Sequence, residues 1–374
     1  MTRATGDWGW LARSGSERDL IEELGPTAER KAEGVVRSRE RPRRHDGGLD
    51  DPIFARQAMR KPHPIVLGPE GPGPIVEALV KRLTAALSAP WSLQVVSPDS
   101  RDPQDPRRHI AADIEGWFAA AEAAPFDGDE AAELVQVWVA QEDLAWVGVT
   151  PVRWAVSPWP GGKQRLRRQP TSVSRAGLKL EEAIAWAGVG PQKGDLVADL
   201  GAAPGGWTQV LLQTGATVIA VDPKSMKVSA APKRFAHLRQ SAFTYAPPET
   251  LDWVVCDMAY RPLEVAKLLA KWARRSWARQ VISNIKLPMK MKVSTLKQVR
   301  DTLSEAGWEG IKIRQLFHDR DEVTLYAHLS AGLAARPAQA PFRLRASRTQ
   351  PRSRTPPRQA PRRRKRNTSI KRRQ

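Results

Sequence analysis

Between residues 174 and 328, short apolar runs alternate with segments of helical period, and this alternation constrains the fold more than any other feature. The runs are Leu196–Leu200, Val218–Val221, Trp253–Cys256, Val281–Ile285, Ile311–Leu316 and Val323–His328. Helices are predicted over 174–186, 204–213, 263–279 and 293–306, the first with Leu180, Ala183, Ile184 and Ala187 along one face. Strands buried on both faces read as continuous apolar stretches, and strands separated by helices pair in parallel. The expectation for 171–332 is therefore an α/β domain built on a mostly parallel, doubly wound sheet.

Upstream the pattern differs. Trp8–Ala12 reads as a strand and Glu17–Leu24 as a short helix with Ser16 at its N-cap. Arg37–Gly48 is basic, contains proline and glycine, and reads as a loop. Ile75, Leu79, Leu83 and Leu87 recur at helical spacing, and Ser92–Val96 reads as a strand. Val135–Val139 and Leu144–Val149 flank Gln141-Glu142-Asp143 like a β-hairpin. A small α+β region results, with Asp51-Pro52 opening its second unit. Residues 156–170 hold Pro158, Pro160, Gly161 and Gly162, then Lys163, Arg165, Arg167 and Arg168, and read as a basic linker.

The net charge of +20 is unevenly spread, because Arg336–Gln374 carries 15 Lys/Arg, no acid and six prolines. Such a tail (333–374) cannot form a core; it is expected to be a disordered polycation that attracts phosphates. A hydrophobic content of 41% excludes disorder of the whole chain. The single cysteine, Cys256, excludes a disulfide framework and fits a reducing compartment; within an apolar run it reads as core. No apolar stretch reaches the roughly 18 residues of a membrane span, and no basic-then-apolar leader opens the chain. These features predict a soluble cytoplasmic protein with a polyanionic partner and no membrane association. His318, in a charged loop, reads as surface or RNA-facing, and no Cys/His spacing suggests a metal site.

The chemistry-bearing motif is Asp199-Leu200-Gly201-Ala202-Ala203-Pro204-Gly205-Gly206-Trp207, which follows a predicted strand and opens a helix. Small residues let a ligand approach the backbone at the carboxyl edge of the first strand. The loop lacks both the GxGxxG spacing of dinucleotide sites and the GK[ST] ending of a phosphate loop. Alone it is compatible with nucleotide binding or with a tight turn. With Asp222 closing the next strand, it suits a nucleoside cofactor, the carboxylate facing ribose hydroxyls.

This loop resembles that of FtsJ-like S-adenosylmethionine-dependent RNA ribose 2′-O-methyltransferases. SRAGLKLEEA (174–183), WVVCDMAYRP (253–262), NIKLPMK (284–290) and RQLFHDRDEVTLY (314–326) are similar to segments of the RlmM family, which methylates a cytidine ribose of 23S rRNA. DPIFARQ (51–57) resembles the same family, whose members carry a ferredoxin-like segment and a THUMP RNA-binding domain before the methyltransferase domain. The resemblance implies a Rossmann-like methyltransferase domain over 171–332, preceded by a ferredoxin-like segment (1–50) and a THUMP-like RNA-binding domain (51–155). It implies S-adenosylmethionine held by Asp199, Gly201, Ala202, Ala203, Pro204, Gly205, Gly206, Trp207, Asp222 and Asp257, with Ser241 where relatives place an acidic adenine partner. It implies a catalytic tetrad of Lys179, Asp257, Lys286 and Glu322, and large-subunit rRNA as the partner. Two other readings stay open at this level: a methyltransferase of tRNA or another rRNA nucleoside, and a non-catalytic RNA-binding or ribosome-assembly factor with a vestigial methyltransferase fold.

Overall fold

The computed structural model describes residues 3–42, 51–68, 72–85, 87, 90–120, 132–167, 169–228 and 233–330. Its first sheet comprises β1 (Arg3–Ala12), β2 (Glu29–Ala32), β3 (Val35–Pro42) and β4 (Ala55–Arg60), in the order β2-β3-β1-β4. Helix α1 (Glu17–Leu24) follows β1 and buries Leu20 and Leu24. The fourth strand of this sheet comes from beyond residue 50: β4 runs antiparallel to β1, with Trp10 opposite Ala58.

Arg37–Gly48 is not a loop as far as Pro42. It continues β3, and residues 43–48 lie outside the described residues. The alternation was hidden by charge. Arg37 binds Asp7 at 2.5 Å, whereas Arg41 is buried, its guanidinium 4.9 Å and 5.4 Å from the Trp8 and Trp10 rings. Arg41 also donates to the Trp154 carbonyl at 2.6 Å and to Asp51 at 2.8 Å, so its buried charge is compensated.

The second sheet contains β5 (His63–Val66), β6 (Trp91–Val96), β7 (Glu133–Gln141) and β8 (Leu144–Pro151), in the order β5-β8-β7-β6. Strands β7 and β8 form the expected hairpin. Helices α2 (Gly73–Thr84) and α3 (Arg107–Ala120) cover one face through Val76, Val80, Ile114 and Phe118. Part of the predicted linker is fastened to this half: Gln57 donates to the Ser157 carbonyl at 2.7 Å, and Lys163 meets Asp99 at 2.9 Å.

The third sheet follows α4 (Ala176–Ala187). Its elements are β9 (Leu196–Leu200), α5 (Gly206–Gln213), β10 (Thr217–Val221), β11 (Phe235–Leu238), β12 (Leu251–Asp257), α6 (Pro262–Arg274), β13 (Ala278–Lys286), α7 (Lys292–Glu305), β14 (Glu309–Arg314) and β15 (Glu322–His328). The strand order is β11-β10-β9-β12-β13-β15-β14. From β11 to β13 the pairs are parallel, and β15 runs antiparallel to both its neighbours. Leu180, Ala183, Trp207 and Leu211 cover one face, and Leu268, Leu269, Leu296 and Leu303 the other. The sheet is doubly wound, as the apolar runs predict. Cys256 is buried in β12, and burial pushes its thiol up to about 12.

The chain starts this sheet at β9, moves outward through β10 and β11, then returns to β12 on the other side of β9. That reversal opens a crevice at the carboxyl ends of β9 and β12, where ligands of such sheets sit. Trp8, Trp10, Leu20, Leu24 and Phe54 join the apolar cluster on the α6–α7 face, so the first sheet is bound into the core of the third. Among the described residues no helix is long and apolar enough to cross a membrane. The basic tail lies outside the described residues.

Candidate active site

After Leu200 the chain must turn sharply into α5. Gly201 (φ +77°) and Gly205 (φ +115°) take left-handed conformations that L side chains rarely adopt. The loop is also tightly covered, since a Cβ on Gly205 would lie 2.5 Å from Val228 Cγ2 and one on Gly206 2.2 Å from Ser174 Oγ. Asp222 fastens it from the next strand: its carboxylate accepts from the amides of Ala203 at 3.1 Å and Lys224 at 2.7 Å. The Pro204 carbonyl accepts from the Lys227 amide at 2.9 Å. Ala202 is buried in the turn.

Asp199 is buried and accepts from the Thr208 hydroxyl at 2.5 Å. Burial pushes its carboxyl up to about 7; the Thr208 hydrogen bond opposes the rise, and the nearby charges of Asp257 and Asp222 add to it. Asp199, Asp222 and Asp257 thus lie close enough to repel one another at the carboxyl edge of the sheet, with Asp199 itself buried beneath it. Trp207 packs its ring into the core beneath α4, and its indole N–H has no acceptor among the described residues. Ser241 is exposed after β11, where its hydroxyl accepts from the Phe243 amide at 3.3 Å.

The four residues of the expected tetrad come from four elements: Lys179 from α4, Asp257 from the end of β12, Lys286 from the end of β13 and Glu322 from the start of β15. Lys179 Nζ donates to Glu322 Oε2 and lies 3.6 Å from Asp257 Oδ1. Burial alone would lower the Lys179 ammonium, but Asp257 and Glu322 overcome it and hold the lysine above its usual value. Burial raises the Asp257 carboxyl, opposed by Lys179 and reinforced by the charge of Glu322. Lys286 stands opposite Glu322 in the β13–β15 ladder and is exposed, its side chain making no ion pair or hydrogen bond among the described residues. Three of the four therefore meet directly, and the fourth occupies the adjoining register position.

Behind them lies a layer that sequence reasoning missed. Asn284 pairs in register with Asp257 on one side and Thr324 on the other. Its Nδ2 donates to Glu322 Oε2 at 3.3 Å and to Asp319 Oδ1 at 3.4 Å, while Thr324 donates to Asn284 Oδ1 at 3.2 Å and Asp319 Oδ2 at 3.0 Å. The available signal was strand alternation, which puts Asn284 on the same face as Lys286. Asp319 is fully buried and its carboxyl is pushed up to about 7, chiefly by desolvation. His318 is half-buried, and its Nδ1 lies 2.7 Å from Glu182 Oε2 on α4. Among the described residues no group of three or more His, Cys, Asp or Glu is arranged to hold a metal ion.

Residues 172–322, which contain the glycine loop and all four residues of the expected tetrad, match the family of FtsJ-like methyltransferases. The ribosomal RNA large subunit methyltransferase M of Alkalilimnicola ehrlichii is 35% identical over 300 residues, covering 73% of this chain and 78% of that protein. The proteins of the same name from Laribacter hongkongensis and Halorhodospira halophila are 40% and 41% identical over 211 and 177 residues. Those two matches cover 53% and 46% of this chain, and 60% and 52% of the relatives. With a relative this similar over more than three-quarters of its length, and an FtsJ-like match over 172–322, the chain belongs to the ribosomal RNA large subunit methyltransferase M family.

Proposed function

We propose that this chain methylates a ribose 2′-oxygen in large-subunit ribosomal RNA, at a cytidine, using S-adenosylmethionine as methyl donor. The observation that carries the reading is the meeting of Lys179, Asp257 and Glu322 at the carboxyl edge of the sheet, with Lys286 beside them in register. Family membership supports the substrate class, and the protein acts in the cytoplasm.

The glycine loop, Asp199, Asp222 and Asp257 would hold the cofactor, with Ser241 near its adenine. When bound, S-adenosylmethionine supplies an electrophilic methyl group. A ribose hydroxyl is a poor nucleophile at neutral pH and must lose its proton as it attacks. Lys179 is committed to two carboxylates and stays charged, so it favours the negative charge developing on oxygen. Lys286 has no carboxylate partner among the described residues and is assigned to deprotonate or stabilise the 2′-oxygen. Asp257 orients the attacking oxygen and Glu322 positions Lys179. The N-terminal sheets and the basic tail engage RNA, and the N-terminal sheets together with the crevice of the methyltransferase domain select the site.

Mapping ribose methylation in large-subunit rRNA with and without the protein tests this reading. Methylation of tRNA, or of a base, would move the substrate to the first alternative. A protein that does not bind S-adenosylmethionine would be an RNA-binding factor instead.

A further inference from the structure

We infer that Arg13 is a positioning residue for methyl transfer: from the N-terminal sheet it clamps the 315–321 loop, whose end places Glu322 against Lys179. The inference rests on the proposed reaction.

This loop joins β14 to β15, so its path fixes where β15 begins, and β15 begins with Glu322. On its inner side it is held by Glu182. That carboxylate accepts from the Phe317 amide at 2.8 Å and from the His318 amide and Nδ1, both at 2.7 Å. Glu182 lies on α4 three positions after Lys179, one turn along the same helix. The inner clamp is therefore tied to the element that supplies the lysine.

The outer clamp comes from the other half of the molecule. Arg13, in the turn between β1 and α1, donates through Nη2 to the Phe317 carbonyl at 2.9 Å and to the Asp319 carbonyl. The Gln315 amide donates to the Ile53 carbonyl at 2.9 Å, and the Arg56 guanidinium stacks 5.3 Å from the Phe317 ring. The Asp319 side chain meanwhile accepts from the Leu316 amide at 3.0 Å and from Thr324 and Asn284, and Asn284 donates to Glu322. A shift of the Asp319 backbone would thus pass through Asn284 to Glu322 and so to Lys179.

Charge reinforces the geometry. The half-buried Arg13 faces Glu182, Asp319, Asp321 and Asp99, with Arg56 the other nearby guanidinium. Deleting its charge would leave buried carboxylates less compensated. Both carbonyls accept from the one Nη2, so lysine would keep the charge but lose the rigid, planar NH2 that aims its two hydrogens at them.

The test compares Arg13→Ala and Arg13→Lys with the wild-type full chain. It measures kcat and KM on an rRNA fragment, dissociation constants for S-adenosylmethionine and RNA, and amide hydrogen exchange over 315–322. Arg13→Ala should lower kcat by about 10- to 100-fold, the scale of ångström-level misplacement of a reacting group. Cofactor and RNA affinities should hold, exchange should quicken within 315–322, and Arg13→Lys should fall between. A loss confined to RNA affinity with kcat unchanged would make Arg13 an RNA contact and overturn the inference. So would wild-type exchange and wild-type kcat in either variant. Should the alanine variant not fold, the lysine variant decides alone, with slower turnover and faster loop exchange expected. A wild type that transfers no methyl group would sink the proposed reaction, whereas the exchange measurement still judges whether Arg13 holds the loop.

Discussion

Asn284 and Glu322 are joined by a hydrogen bond, Nδ2 to Oε2 at 3.3 Å, on the same oxygen that accepts from Lys179. Glu322 is thereby oriented from two sides, and its carboxylate serves Lys179 in preference to Lys286, its partner across the ladder. The two lysines are unequal for this reason. One is ion-paired and fixed in the site, and the other is exposed at its lip with no carboxylate partner among the described residues.

That inequality sets the first expectation. Lys286→Ala should lower methyl transfer on the order of 10²- to 10⁴-fold, the range for loss of a general base. Binding of S-adenosylmethionine and RNA should stay near wild type, because Lys286 makes no contact that shapes the fold. Lys286→Arg separates the two roles, since a guanidinium keeps its proton at any working pH and could stabilise the oxygen but not deprotonate the hydroxyl. Single-turnover transfer beside equilibrium binding measures both. Substantial transfer by the alanine variant would remove Lys286 from the role.

Asp199 ties stability to pH. Its carboxyl is raised from 3.8 to about 7, mainly by burial, so the folded chain holds a proton that the unfolded chain has released. The resulting stabilisation is complete below the unfolded value of 3.8 and is lost as pH rises through about 7. Asp199→Asn cannot ionise yet can still accept from Thr208. Denaturant unfolding across this window should show the variant gaining on wild type as pH rises. A difference independent of pH would mean that Asp199 does not titrate there.

At Gly205 the effect of a side chain is twofold. The left-handed φ costs an L residue about 1–2 kcal/mol, and forcing a group against Val228 adds about 1–3 kcal/mol. Gly205→Val should therefore lower the unfolding midpoint and weaken S-adenosylmethionine binding together. Gly205→Ala with Val228→Ala should recover part of both, because the nearest clashing atom is gone. A folded Gly205→Val chain with full cofactor affinity would put the cofactor elsewhere.

Ser241→Asp offers a gain. The Ser241 hydroxyl accepts from the Phe243 amide at 3.3 Å, and an aspartate can make the same turn bond while presenting a second, anionic oxygen. Cofactor binding, read by calorimetry, should be equal or tighter. A marked loss would mean that position 241 does not face the adenine.

How much of this was readable beforehand depended on whether a residue's role is local. Leu196–Leu200 and Val281–Ile285 are predominantly apolar, with Asp199, Ser283 and Asn284 the exceptions, and the Gly201–Gly206 turn is rich in glycine and alanine, so sheet and loop were apparent. Strand β11 was not, since Phe235–Leu238 is four half-buried residues that include a histidine. Basic residues concealed β3 in the same way. Asn284, Asp319 and Glu182 escaped for a different reason. Their significance comes from strand register and from a loop returning to α4, and no local pattern encodes either.

The last expectation concerns Arg336–Gln374, whose 15 positive charges and absence of acids suit contact with phosphates more than with base edges. Each phosphate that a lysine or arginine neutralises releases counterion, adding about 0.7 to the slope of log affinity against log salt on single strands and about 0.9 on duplex. Deleting 336–374 should weaken RNA binding most at low salt and flatten that slope. The modified nucleotide should stay the same, because its choice is assigned to the N-terminal sheets and the crevice of the methyltransferase domain. Titrations of RNA at several salt concentrations, paired with mapping of the methylated ribose, read the two halves separately. An unaltered slope would show that the arm does not engage RNA. A displaced methylation site would move specificity into the arm itself.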